Sequence, residues 1–252
     1  MAEETLQASA NENRATVIEH LKELRKRIIY SAASVIVGLV IGMIVADKVQ
    51  DLLLLPAPPL LRDNIITLTL TENLSVWFQL GLTTGVIIAM PFLVYQIFAF
   101  IGPGLTQREK RFVFSIIPAI TVMFLLGVAF AYFVALPMML NFLVTFGRIQ
   151  STTSLASYVN LVTRVLLFVG LVFETPLIIM GLARLGLVSP KWLAARRKWW
   201  ILLAFIIAAV ISPTIDALSQ TILAVPLILL MELGIILARF VYKKKREQPQ
   251  AA

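Results

Sequence analysis

The chain has 252 residues, of which 59% are hydrophobic and only 14% charged, a balance that excludes an ordinary soluble domain and indicates a polytopic membrane protein. It contains no Cys, which excludes disulfides and thiolate metal centres. A net charge of +8 would suggest a nucleic-acid ligand in a soluble protein, but here the cations fall in the segments between long apolar runs.

Met1 to Asn13 is polar, acidic and without periodicity, so residues 1–13 are expected to form a disordered tail. From Arg14 the pattern changes. Val17, Ile18, Leu21, Leu24 and Ile28 share one helical face, while Glu19, Lys22, Glu23, Lys26 and Arg27 lie elsewhere. This predicts an amphipathic surface helix running into a first span over about residues 28–46, retained rather than cleaved as a signal peptide. Further spans are expected at about 74–101, 112–136, 158–183, 199–211 and 217–238, in a single membrane domain over residues 14–242. Residues 243–252 make a basic tail.

Between the second and third spans, Gly102-Pro103-Gly104 should stop one helix. Thr106 with Glu109 three residues on has the capping-box pattern that starts the next. Glu109, ringed by Arg108, Lys110 and Arg111, is either that cap or a receptor for a positive group. The fifth span is short: thirteen residues at ~1.5 Å each give roughly 20 Å against a ~30 Å hydrocarbon core. Such a helix thins the bilayer or is covered by a partner.

Of the 22 Lys and Arg, 18 fall in the two tails and alternate connecting segments, three (Lys48, Arg62 and Arg148) in the others, and Arg164 within a span. The asymmetry predicts that both termini are cytoplasmic. The trans segments 47–73 and 137–157 are long and partly apolar, and are expected to cap the bundle.

The residue inventory offers little to an enzyme. The single His, His20, lies on the cytoplasmic helix, which removes an intramembrane Ser–His pair, and no phosphate-binding loop is present. The carboxylates say more. Glu19, Glu23 and Glu109 are the acids on a cationic face, and a guanidinium grips a carboxylate in a bidentate way that Lys cannot copy. The local alternative for Glu23 is an i,i+4 pair with Arg27. Glu174 and Glu232 lie inside spans, where an ionised group is costly, so each is expected to be neutral, paired or facing a hydrated cavity. Asp216 and Gln220 open the last span, Asp216 in the position of a helix N-cap. Arg164, about two turns inside the trans end of span four, is placed to snorkel to that interface.

Several stretches together resemble the TatC family, the multispanning receptor subunit of the twin-arginine protein translocase. They are His20-Leu-Lys-Glu-Leu-Arg-Lys-Arg27, Phe98-Ala-Phe-Ile-Gly-Pro-Gly-Leu105 with Glu109, Gly127 to Phe133 through Pro137, Phe173-Glu-Thr-Pro176, and Ser212 to Gln220 with Pro226 and Glu232. The resemblance implies an all-α polytopic membrane protein of the inner membrane, with six helices in a concave, glove-like bundle and short fifth and sixth helices. It implies a receptor for twin-arginine signal peptides on folded cargo, driven by the protonmotive force and without a cofactor or enzymatic activity. Glu23, Glu109, Phe100 and Arg25 would then bind the signal peptide. Glu174, Gln220, Asp216 and Glu232 would form an intramembrane polar site for the single-span partners TatA and TatB, in an oligomeric complex without nucleic acid. Arg164 matches no position of that pattern. The alternative reading is a proton-coupled secondary transporter using Glu174 and Glu232, against which no internal repeat is found.

Overall fold

The computed structural model describes residues 2–104, 106–147, 152–212 and 216–242, with side chains described from residue 19 onward except at 104, 113, 146 and 147. The basic tail 243–252, Pro213 and Arg148 lie outside the described residues. Helix α1 runs Ala2–Ile44, taking in the acidic stretch expected to lack structure, and turns at Val45 into α2, Ala46–Leu54. A short α3, Pro59–Arg62, and strand β1, Ile65–Ile66, lead to α4, Glu72–Ile101. A 3-10 turn over Gly102–Gly104 precedes α5, Gln107–Phe130. A π turn, Ala131–Ala135, joins α5 to α6, Leu136–Gly147. Strand β2, Thr153–Ser154, enters α7, Leu155–Phe173, and α8, Thr175–Arg184, follows across a break at Glu174. The chain closes with α9, Pro190–Ala195, α10, Arg197–Ile211, and α11, Ala217–Val241.

Among the described residues, five helical stretches are long and apolar enough to cross a membrane: Glu19–Ile44, Glu72–Ile101, Gln107–Thr145, Leu155–Arg184 and Ala217–Val241. Helix α10, with 15 residues, reaches roughly 22 Å and is the short one. Helix α11 is not short. Its 25 residues span a ~30 Å core, because the apolar run continues to Val241 and Arg197 satisfies the charge of Glu232 within it. The third span also differs from expectation, continuing as helix through Pro137 to Gly147. A proline ring clashes with the carbonyl four residues back, and the π turn immediately before Pro137 widens the helix there.

Helices α1 and α4 meet through two small-residue pairs. Gly38 lies against Gly85 and Gly42 against Gly81, and a Cβ built on Gly38 would sit 2.5 Å from the Gly85 carbonyl oxygen. Only glycine allows that backbone approach, which is how helices pack in lipid without a hydrophobic drive between them.

The segments between α1 and α4 and between α6 and α7 are tied down by specific bonds. β1 and β2 pair in parallel, Ile65 opposite Thr153. Pro56 has no amide to give to the carbonyls of Leu52 or Leu53, four and three residues before it. Tyrosines replace it: the Tyr132 hydroxyl donates to Leu52 O at 2.7 Å and the Tyr158 hydroxyl to Leu53 O at 2.6 Å. The buried Glu72 carboxylate accepts from the amides of Leu68 (2.6 Å), Thr69 (3.3 Å) and Ala156 (2.7 Å), joining the start of α4 to the first turn of α7. Below this cap, Leu53, Val76, Leu80, Leu136, Met139, Tyr158 and Val162 form the centre of the main core.

Candidate functional site

The first cluster forms where α4 gives way to α5. Thr106 is extended, and its hydroxyl accepts from the Glu109 amide at 3.4 Å. The Glu109 carboxylate takes the Thr106 amide at 2.9 Å and the Thr106 hydroxyl at 2.7 Å. The capping box is therefore built, and it holds the carboxylate in one orientation at a helix N-terminus, where negative charge is favoured. Arg108, Lys110 and Arg111 are exposed around it.

Helix α1 is pinned to the end of α4 beside this turn. The His20 ring stacks on Phe100 with centroids 4.5 Å apart and planes at 22°. One turn along, Glu23 pairs with Arg27 at 3.2 Å, the local i,i+4 arrangement. The other terminal nitrogen of Arg27 donates to Gln96 Oε1, also at 3.2 Å. Gln96 is buried, and Arg27 Nε is buried without a hydrogen-bond partner, so this guanidinium is held between a carboxylate and an amide with one donor left over. Alongside lies an open groove of about 550 Å³, walled by Leu24, Ile28, Val35, Leu93, Ile97 and Phe100 and with Arg27 and Gln96 among its lining. Phe100 and Arg27, the partner of Glu23, thus both line one rim of the groove.

Arg25 is not part of that rim. Two residues from Glu23 on a helix is about 200° of rotation, and Arg25 lies with Lys22, Lys26, Ile29 and Tyr30 in a separate exposed depression.

The four intramembrane polar residues are not brought together. Glu174 sits at the break between α7 and α8, its carbonyl accepting from the amides of Leu177 (3.1 Å) and Ile178 (3.0 Å). Its side chain is 7% exposed and its Oε1 is buried without a hydrogen-bond partner, so it does not point to lipid. Glu232 instead makes a bidentate pair with Arg197 at the start of α10, at 2.7 and 2.8 Å. Gln220 donates to the Phe205 carbonyl at 2.8 Å, a second stitch between α10 and α11. Asp216 caps α11, accepting from the Ser219 amide at 2.6 Å. Among the described residues, none of these three is hydrogen-bonded to Glu174.

Gln96 and Arg197 escaped the sequence reading, as did the contact of His20 with Phe100. A lone amide near the end of an apolar run was a usable signal for Gln96, since an unpaired buried amide is costly. The Arg197–Glu232 pair spans 35 residues and carries no local signal.

The family described as "Sec-independent protein translocase protein (TatC)" matches residues 19–226. The Sec-independent protein translocase protein TatC of Aquifex aeolicus is 36% identical over 241 residues, covering 92% of this chain and 98% of that protein. Its counterpart in Carboxydothermus hydrogenoformans is 33% identical over 232 residues, covering 91% and 95%. A crystal structure of the twin arginine translocase receptor TatC superposes with a TM-score of 0.79 at 36% identity, covering 88% of this chain and 99% of that one. A second, in DDM, has the same TM-score and identity. With the helices, the Gly-Pro-Gly turn with its capping box, and the relatives in agreement, this chain belongs to the TatC family and is a multi-pass inner-membrane subunit of the Sec-independent protein translocase.

Proposed function

We propose that this chain is the signal-peptide receptor of its translocase, with Glu23 and Glu109 each receiving one guanidinium of a paired-arginine motif and Phe100 flanking them. The observation that supports this best is the His20–Phe100 stack, which ties the helix bearing Glu23 to the turn that leads into Glu109. Glu23 is paired with Arg27. An incoming guanidinium takes its place, and Arg27 keeps Gln96 as a partner. Both termini are cytoplasmic in this reading, which puts the rim on the side where folded cargo arrives. A cysteine placed at residue 245 that labels from outside intact cells would overturn that orientation.

α10 and α11 supply the edge on which single-span TatA- and TatB-like partners dock. The short α10 leaves roughly 8 Å of a ~30 Å core to be covered. The protonmotive force drives transport, the chain itself catalysing no covalent step.

Glu109→Gln tests the receptor role, because glutamine retains an oxygen for the capping box while removing the charge. A charge-assisted hydrogen bond is worth roughly 1.5–3 kcal/mol where water is partly excluded, so the variant assembles in the membrane and binds a twin-arginine signal peptide about 10- to 100-fold more weakly. Unchanged binding by both Glu109→Gln and Glu23→Gln refutes the assignment.

A further inference from the structure

A second cavity lies far from this rim. It has a volume of about 420 Å³ and opens between α6, α7 and the α3 turn, lined by Leu61, Leu140, Leu143 and Val144 opposite Ser157, Asn160 and Arg164. The last three recur at intervals of three and four, so they share one polar face of α7, while Val162, Val165 and Val169 turn into the core. Arg164 is exposed, and among the described residues it has no ion pair or hydrogen-bond partner, nor does any acid line the cavity.

The depth of Arg164 follows from its helix. Arg184 ends the same span, lying over the Phe112 ring at 5.1 Å. Twenty residues separate the two arginines along α7 and α8, a path of roughly 30 Å across the break at Glu174, comparable to the thickness of the hydrocarbon core. With Arg184 near one boundary, Arg164 lies near the other, where its long side chain snorkels to the lipid phosphates. On the membrane side of Arg164, Phe168 and Leu171 continue the same face and are 42% and 49% exposed. On the far side stand Asn160 and Ser157, whose side chains offer hydrogen bonds to hydroxyls or a phosphate.

We propose that this cavity holds the headgroup of one anionic phospholipid from the leaflet on the α2–α3 side. Its phosphate is bound by the Arg164 guanidinium, its polar headgroup faces Asn160 and Ser157, and its acyl chains descend over Phe168 and Leu171. Arg forks match phosphate geometry, and an unpaired cation at a boundary of this depth is complementary to no neutral tail. A lipid held there wedges α6 and α7 apart beneath the cap and makes bilayer composition part of the stability of the fold.

The test is native mass spectrometry of the full chain in detergent, titrated with phosphatidylglycerol, phosphatidylcholine or glycerol 1-phosphate. The wild-type chain retains one phosphatidylglycerol in preference to phosphatidylcholine, and Arg164→Gln weakens that retention about tenfold or more while Arg164→Lys loses less. Leu143→Trp, which fills the cavity with Arg164 intact, also lowers retention and serves should Arg164→Gln fail to fold. Undiminished phosphatidylglycerol retention in Arg164→Gln or in Leu143→Trp overturns the proposal. So does equal competition by glycerol 1-phosphate, which would make the site one for a free phosphate. Capture of an acidic protein segment instead of lipid, by a photocrosslinker at residue 160 in membranes, refutes it as well.

Discussion

Tyr158→Phe isolates the bond by which the bundle holds the cap formed by α2 and α3. Tyr158 is 2% exposed, and its hydroxyl donates to Leu53 O at 2.6 Å. Pro56 and Pro58 have no amides, and the Ala57 amide is directed to Leu54 O, so the Leu53 carbonyl loses its donor when the hydroxyl is removed. Leaving a buried carbonyl unsatisfied costs about 1–3 kcal/mol. Tyr132→Phe is the internal control. It removes the same chemical group from Leu52 O, but that carbonyl keeps the Leu55 amide at 3.2 Å, so the loss is about 0.5–1.5 kcal/mol. Hydrogen exchange of the peptide covering residues 46–57 reads the difference as local opening. Tyr158→Phe accelerates exchange there about 5- to 150-fold, and Tyr132→Phe by clearly less. Equal acceleration by the two variants, or none by either, refutes the account of how Pro56 is compensated.

Two further outcomes follow from the packing and from the buried acid. Gly85→Leu places a Cβ 2.5 Å from the Leu39 amide nitrogen, so it separates α1 from α4 at a cost of about 1–3 kcal/mol or more. A cysteine pair introduced across that interface in this Cys-free chain then crosslinks in the parent background but not in Gly85→Leu. Glu174→Ala leaves signal-peptide binding within twofold while lowering transport, because Glu174 is buried at a helix break and does not line the groove beside Arg27 and Phe100. A loss of peptide binding equal to the loss of transport would place Glu174 in the receptor itself.

Local chemistry was enough for the features that a few neighbouring residues decide. The break at Gly102-Pro103-Gly104 and the Thr106–Glu109 capping box are steric and hydrogen-bonding properties of consecutive residues, and both are present in the structure. The same holds for Asp216 as the cap of α11 and for the Glu23–Arg27 pair, which is an i,i+4 neighbour on one helix. Hydropathy over windows of about twenty residues found the long spans, because burial of backbone in lipid demands continuous apolar helix. It misjudged where α5 and α6 end, since a π turn lets a helix pass a proline and no short-range signal announces one. Everything that depends on one helix meeting another needed the tertiary structure. Arg197 neutralises Glu232 across 35 residues, His20 meets Phe100 across 80, and Tyr158 reaches Leu53 across 105. The pairing of Gly38 with Gly85 also depends on register, because each glycine stripe is compatible with many partners until the bundle selects one. A sequence records which groups need partners, and only the packed chain decides which distant group each one receives.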